Sequence, residues 1–190
     1  MRRPIRPLWV VFLLLLGVSC RERSAGPASI EVLFSPRGGC TERIVREIGA
    51  ARSTILVQAY SFSSAPIAAA LVAAHRRHVE VQVILDKSQE SEKVSSADFL
   101  LRAGVPTQID AEHDVAHDKV MIIDGQTILT GSFNFTRAAE ERNAENLLVI
   151  RDPELAVEYT LNWKSHSSHS QAYHGRKPAP PPNKSHGKRP

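Results

Sequence analysis

From residue 30 onward, apolar positions recur with two alternating periods, so the chain divides into strands and helices. Ile30 to Phe34 alternates apolar and polar residues and predicts a strand, ended by Ser35-Pro36 and the Gly38-Gly39 pair. Thr41 is placed to cap a helix running to Ala51, with Ile44, Val45 and Ile48 on one face. Ser53 to Tyr60 is apolar and β-branched, the pattern of a buried strand. Ala65 to Arg77 has helical composition, and Val79 to Leu85 predicts a second buried strand. This strand–helix–strand–helix order implies an α/β fold, with parallel strands covered on both faces by helices.

Lys87 to Ser96 is polar and is expected to be a surface loop. Ala97 to Ala103 predicts a short helix closed by Gly104, and Val105 to Ile109 a short strand. Lys119 to Ile123 and Thr127 to Thr130 flank Asp124-Gly125, a hairpin signal because glycine tolerates positive φ in a tight turn. Asn146 to Ile150 predicts the last strand and Pro153 to Lys164 the last helix. Beyond Ser165 the chain turns to His, Ser, Pro and Lys, too polar to bury a core, and disorder is expected. No internal repeat is visible. The expected organisation is a leader over 1–20, a linker over 21–29, one catalytic domain over 30–165 and a basic Pro/His-rich disordered tail over 166–190.

Charge changes the picture less than its total suggests. The 190-residue chain carries a net charge of +4, yet residues 30–165 hold 14 Lys and Arg against 19 Asp and Glu. Basicity belongs to the ends, so it does not by itself make the folded body a nucleic-acid binder. The leader has Arg2, Arg3 and Arg6 before an apolar run from Leu8 to Leu16, too short to span a bilayer as a mature helix. It fits an export signal. Cys20 stands where a bacterial lipoprotein signal places its acylated cysteine, although Gly17 occupies a position where such signals usually carry leucine. Acylation at Cys20, simple cleavage and an uncleaved anchor all stay open. The expected location is exported, periplasmic or lipid-anchored at a membrane surface.

Cys20 and Cys40 are too few for a disulfide framework, and Cys40 reads as a buried small hydrophobe. The eight histidines are scattered without metal-ligand spacing. His166, His169, His174 and His186 fall in or near the polar C-terminal region and read as solvated. No metal and no cofactor is expected. His113, between Glu112 and Asp114, reads as a solvated loop histidine, and His75-Arg76-Arg77-His78 as cations at a helix C-terminus. Phe62, Phe133 and Phe135 read as core residues before stacking surfaces.

The chemistry concentrates in HDKVMIIDGQTILTGSFN, His117 to Asn134. Side chains alternate across an extended segment, so His117 and Lys119 point the same way. A nucleophilic imidazole then stands beside an ammonium able to hold a phosphoryl oxygen. Ser132 and Asn134 add small polar donors where the chain reverses after Gly131. Asp124, five residues from Lys119 and next to Gly125, faces away on a regular strand and reads as structural, like Gly125 and Gly131.

This string, with ILVQAYSF (55–62) and NAENLLVI (143–150), resembles the HKD signature of the phospholipase D superfamily, specifically its compact single-motif bacterial endonuclease branch. The similarity extends from about Glu31 to Lys164. It implies a phospholipase D-like fold: a mixed, largely parallel sheet flanked by helices on both faces, with one motif per chain. It also implies that His117 forms a phosphohistidine, that Lys119 binds phosphate with Ser132 and Asn134, and that Glu145 orients the histidine. One histidine cannot readily attack and protonate the leaving group in one step, so the resemblance implies a homodimer with its site on the two-fold axis. Three functions are weighed: an exported metal-independent nuclease acting on DNA or RNA; a phospholipase D acting on phosphatidyl lipids; and an inactive nucleic-acid-binding module. The intact residue set argues against the third.

Overall fold

The computed structural model describes residues 28–176. The leader, the linker up to residue 27 and the tail from 177 lie outside the described residues. The elements run β1 (Ser29–Ser35), α1 (Cys40–Ala50), β2 (Thr54–Ala59), α2 (Ala65–Arg76), β3 (Glu80–Asp86), a 3-10 turn (Lys87–Glu90) and α3 (Ala97–Arg102). They continue with β4 (Thr107–Asp110), β5 (Lys119–Ile123), β6 (Thr127–Gly131), α4 (Arg137–Glu141), β7 (Glu145–Arg151), α5 (Pro153–His169) and β8 (Gln171–Ala172). All eight strands form one sheet in the order β1-β7-β6-β5-β2-β3-β4-β8.

The sheet is mixed and helix-covered as expected, but it is not largely parallel. Only β2–β3 and β3–β4 pair parallel; the other neighbours are antiparallel. The reason lies in the connections. Helices α2 and α3 provide the long crossovers that parallel pairing needs, while β5 and β6 are joined by a short turn and β6 and β7 by a 132–144 connection carrying α4, each of which reverses the chain. At the β5–β6 turn Asp124 and Gly125 both have positive φ, 53° and 61°.

Two cores form because side chains alternate along each strand. Val57, Val83, Leu85, Met121, Leu129 and Val149 pack on one face against α1, α2 and α3. Ile84, Val120, Ile122, Ile128 and Ile150 pack on the other against Ala156 and Trp163 of α5. The Trp163 indole N–H donates to the Val57 carbonyl at 2.9 Å, fixing α5 across the sheet. Asp152 caps that helix by accepting from the N–H groups of Glu154 and Leu155.

Several expectations need correction. Thr41 does not cap α1; the helix starts at Cys40, and the Glu140 carboxylate accepts from the N–H groups of Gly39 and Thr41 at 3.0 and 2.7 Å. A cap supplied from a hundred residues away leaves no local trace. The polar 87–96 segment holds a 3-10 turn that Asp86 caps. The chain is also ordered past residue 165. Helix α5 runs to His169, β8 pairs with β4, and Tyr173 is buried with its hydroxyl donating to Asp98 at 2.7 Å. Edge pairing and one aromatic anchor order a segment whose composition is polar. Cys40 is fully buried, and burial, with Glu140 nearby, pushes its thiol up to about 11. Phe62, Phe133 and Phe135 are buried core residues.

Candidate active site

Three pairings bring distant segments to one end of the sheet. Ala59 lies opposite Lys119, Gly131 opposite Leu147, and Ser35 opposite Glu145. The β5–β6 pairing closes with Met121 opposite Leu129, two residues short of Lys119 and Gly131. His117, Lys119, Ser132, Asn134 and Glu145 thus gather at the end of β5, β6 and β7. Gly131 has φ 141°, and a Cβ there would lie 2.4 Å from the Asn146 carbonyl oxygen. Glycine is what lets β6 and β7 approach this closely before the chain turns into Ser132.

The alternation across residues 117–119 is visible in the contacts. Asp118 faces one way, its carboxylate accepting from the buried Gln58 amide at 3.0 Å. His117 and Lys119 face the other. The His117 ring lies 4.6 Å from the Tyr60 ring, and the Lys119 ammonium sits 5.0 Å above the same ring while donating to the His117 carbonyl. His117 is exposed; Lys119 is only 6% exposed. Burial lowers the Lys119 ammonium below the usual lysine range, against the opposing charges of Asp118 and Glu145.

The remaining groups complete a cradle of donors. Ser132 Oγ accepts from the Asn146 N–H at 3.0 Å, which leaves its own proton to donate. Asn134 Oδ1 is shielded from solvent and has no hydrogen-bond partner. Glu145 accepts from the Asn143 amide at 3.2 Å, and not from His117 within this chain. Among the described residues neither ring nitrogen of His117 has a hydrogen-bond partner, so the expected histidine–carboxylate pair is absent from the single chain. Tyr60, Gln58 and Asp86 were not singled out from the sequence. Tyr60 and Gln58 lie within the ILVQAYSF stretch, so the signal for them was present. Asp86 fixes the approach to His117 by accepting from the Ala116 N–H at 2.8 Å.

Asp124 sits at the opposite end of β5. Its carboxylate accepts from the N–H groups of Arg52, Ser53 and Thr54 and from the Ser53 hydroxyl. Partial burial pushes its pKa up, but these donors win and hold it below the usual carboxylate range. His113 is not a freely solvated loop histidine. Its ring bonds to the fully buried Asp110, which also meets His166 and His169. The contacts of His166 and His169 join residues over fifty positions apart, which spacing alone does not reveal.

Residues 44–166 match the family described as cardiolipin synthase, PLD-like domain. A phospholipase D of Rickettsia bellii is 45% identical over 138 residues, covering 73% of this chain and 69% of that protein. A mitochondrial cardiolipin hydrolase of Xenopus laevis is 33% identical over 170 residues, covering 84% and 76%. The crystal structure of Nuc, a phospholipase D family member from Salmonella typhimurium, superposes with a TM-score of 0.74 at 35% identity. It covers 79% of this chain and 99% of that one.

Proposed function

The chain belongs to the phospholipase D superfamily and is a hydrolase of its phosphodiesterase class, and from that premise we propose a metal-independent endonuclease acting on DNA or RNA. The observation that carries this reading is the exposed, unpaired His117 imidazole beside the buried Lys119 ammonium. The imidazole is free to attack phosphorus, and the ammonium is held where a non-bridging oxygen would sit. Ser132 adds a hydroxyl donor. Turning the Asn134 amide about its last torsion replaces its orphaned oxygen by an NH2 donor, the group a phosphoryl oxygen requires.

In the first step a His117 ring nitrogen bonds to phosphorus, and the bond from phosphorus to the leaving oxygen breaks. That oxygen takes a proton from His117 of the partner subunit. In the second step the same partner imidazole removes a proton from water, whose oxygen displaces the His117 nitrogen. The chemistry thus calls for two copies of the motif, and among the described residues each chain contributes one. A homodimer supplies the second. Supporting it, β1 at the sheet edge leaves Ile30, Val32 and Phe34 exposed at 70%, 47% and 65%, and this row leads to Ser35 beside Glu145. Glu145 would then steady an imidazole at the closed two-fold site. The proposal includes export by the 1–20 leader with Cys20 as the acylation point; Cys20→Ala should then release the protein from membranes.

Nucleic acid is favoured as substrate because the chain spans nearly all of Nuc at 35% identity. The names of the Rickettsia and Xenopus relatives favour a second reading, hydrolysis of phospholipid diesters. The test offers plasmid DNA and phosphatidylcholine vesicles in excess chelator, with His117→Ala as control. Chelator-resistant nicking lost in the variant supports the nuclease. Headgroup release with intact plasmid would give the substrate to the lipid reading.

A further inference from the structure

The geometry points to a structural site for one zinc-class divalent cation formed by Asp110, His113, His166 and His169, which staples the end of α5 to the loop leading to His117. The ligand atoms of these four residues all lie within 4.8 Å of one another. Three imidazole nitrogens converge on one carboxylate oxygen: His113 Nδ1 at 3.1 Å, His166 Nδ1 at 2.8 Å and His169 Nε2 at 3.3 Å from Asp110 Oδ2. Donor atoms around a tetrahedral zinc, each about 2.0–2.1 Å from it, stand roughly 3.3 Å apart. Small side-chain rotations suffice to admit the ion.

The surroundings favour a cation over a simple hydrogen-bond cluster. Asp110 is fully buried, and among the described residues no lysine or arginine pairs with it. A buried carboxylate needs a countercharge, and one divalent ion supplies it without crowding three protonated imidazoles together. The outer shell also has the arrangement of metal-binding histidines. His169 turns Nε2 inward and Nδ1 toward Glu112 Oε2 at 3.7 Å, a carboxylate behind a ligating ring. The Lys87 ammonium holds the His113 carbonyl at 2.9 Å, and the Ser167 hydroxyl donates to the Gln108 side-chain oxygen at 2.9 Å. The Gln108 amide in turn donates to the Ser167 carbonyl at 3.4 Å, so backbone on both sides of the cluster is held.

Three imidazoles and one carboxylate are a donor set for zinc-like ions, not for magnesium or calcium, which take oxygen. Four protein donors close a tetrahedron and leave no position for a reacting water, so the ion is structural. Its consequence is positional. His113 lies four residues before His117, and Asp86 holds Ala116 between them. The ion would fix the far end of the same short segment.

The test uses the full-length chain stripped of metal and titrated with Co2+ as a visible probe, then with Zn2+ in competition. One Co2+ per chain with intense tetrahedral d–d bands, displaced by Zn2+, is expected. The bands should vanish in the His166→Ala/His169→Ala variant and persist in the His174→Ala/His186→Ala control. Glu112→Ala, at an exposed side chain, should weaken Zn2+ binding by about tenfold or more while leaving the fold intact. A pale octahedral spectrum, or bands that survive the 166/169 variant, would overturn the proposal. Should that variant fail to fold, Glu112→Ala decides, and unchanged Zn2+ affinity overturns it. The cation site rests on the nuclease reading only for its consequence at His117. Cation binding is read from the spectrum and needs no turnover, so it can fail while the nuclease reading stands. Cleavage lost in chelator by the wild type, and lost equally without chelator by the His166→Ala/His169→Ala variant, would trace to this site and not to the reaction.

Discussion

Asp124 offers the sharpest separation of structure from chemistry, because it belongs to the signature yet lies far from the histidine. Five residues at about 3.3 Å each put it roughly 16 Å along the strand from Lys119. Its carboxylate collects three backbone N–H groups and the Ser53 hydroxyl at 2.8–3.2 Å, and its own N–H donates to Thr54. It therefore splices the β5–β6 turn to the start of β2. Hydrogen bonds to a charged group contribute about 1.5–3 kcal/mol each when buried, and less here because water can replace the carboxylate at Arg52 and Ser53. Asp124→Ala should cost about 2–4 kcal/mol, lowering the melting midpoint by roughly 5–15 °C for a domain of this size. Asp124→Asn keeps one acceptor and should cost about 1–2 kcal/mol. Since the folded pKa is depressed, this stabilisation is complete above the unfolded value of about 3.9 and disappears as pH falls through the lower folded value. The gap between wild type and Asp124→Asn should accordingly close in acid. Calorimetry across pH, with phosphodiesterase turnover per folded molecule at 25 °C, checks both parts. A variant of unchanged stability that loses turnover about a hundredfold would refute the structural assignment.

Lys119→Met should lower turnover by at least about 10²–10³ with little loss of stability, since a buried charge disappears together with its desolvation cost. Because burial lowers that ammonium, the alkaline limb of the wild-type pH–rate profile should fall below the ordinary lysine value of about 10.4. Gly131→Ala should cost about 2 kcal/mol or more in denaturant unfolding, from a forced positive φ and a Cβ driven into the Asn146 carbonyl. His78 has φ 67° at the end of α2, and His78→Gly should raise stability by about 0.5–1 kcal/mol in the same assay.

What could be read from the chain follows the range of the interaction that fixes each feature. Residues 117 and 119 share a face because strand alternation is local, and the Asp-Gly turn is legible because two adjacent residues determine it. Element order carries no sign that β5 inserts beside β2 in the reverse direction, so the parallel share of the sheet is smaller than the strand–helix alternation implies. Polar composition hid the ordered stretch from His166 to Tyr173, whose anchors are Gln108 and Asp98 in other elements. Likewise Glu140 caps α1 from across the fold, and Glu145 is next to the motif without touching its histidine. A carboxylate's partner is settled by sheet register, which a linear pattern does not carry.

The topology explains why the histidine sits where it does. Its strand, β5, joins the antiparallel half of the sheet to the parallel half, with β6 on one side and β2 on the other. From β6 and β7 come Ser132, Asn134 and Glu145, and from the end of β2 comes the Tyr60 ring against which imidazole and ammonium rest. Beyond β2, the parallel strands β3 and β4 contribute no group to this cradle among the described residues. Instead they hold the preceding segment, through Asp86 at the end of β3 and Asp110 at the end of β4. The proposed attack on phosphorus would demand an imidazole set within a fraction of an ångström, on a residue that begins outside any regular element. Anchoring residues 110–116 at both ends by buried carboxylates is how a loop histidine acquires the rigidity of a strand.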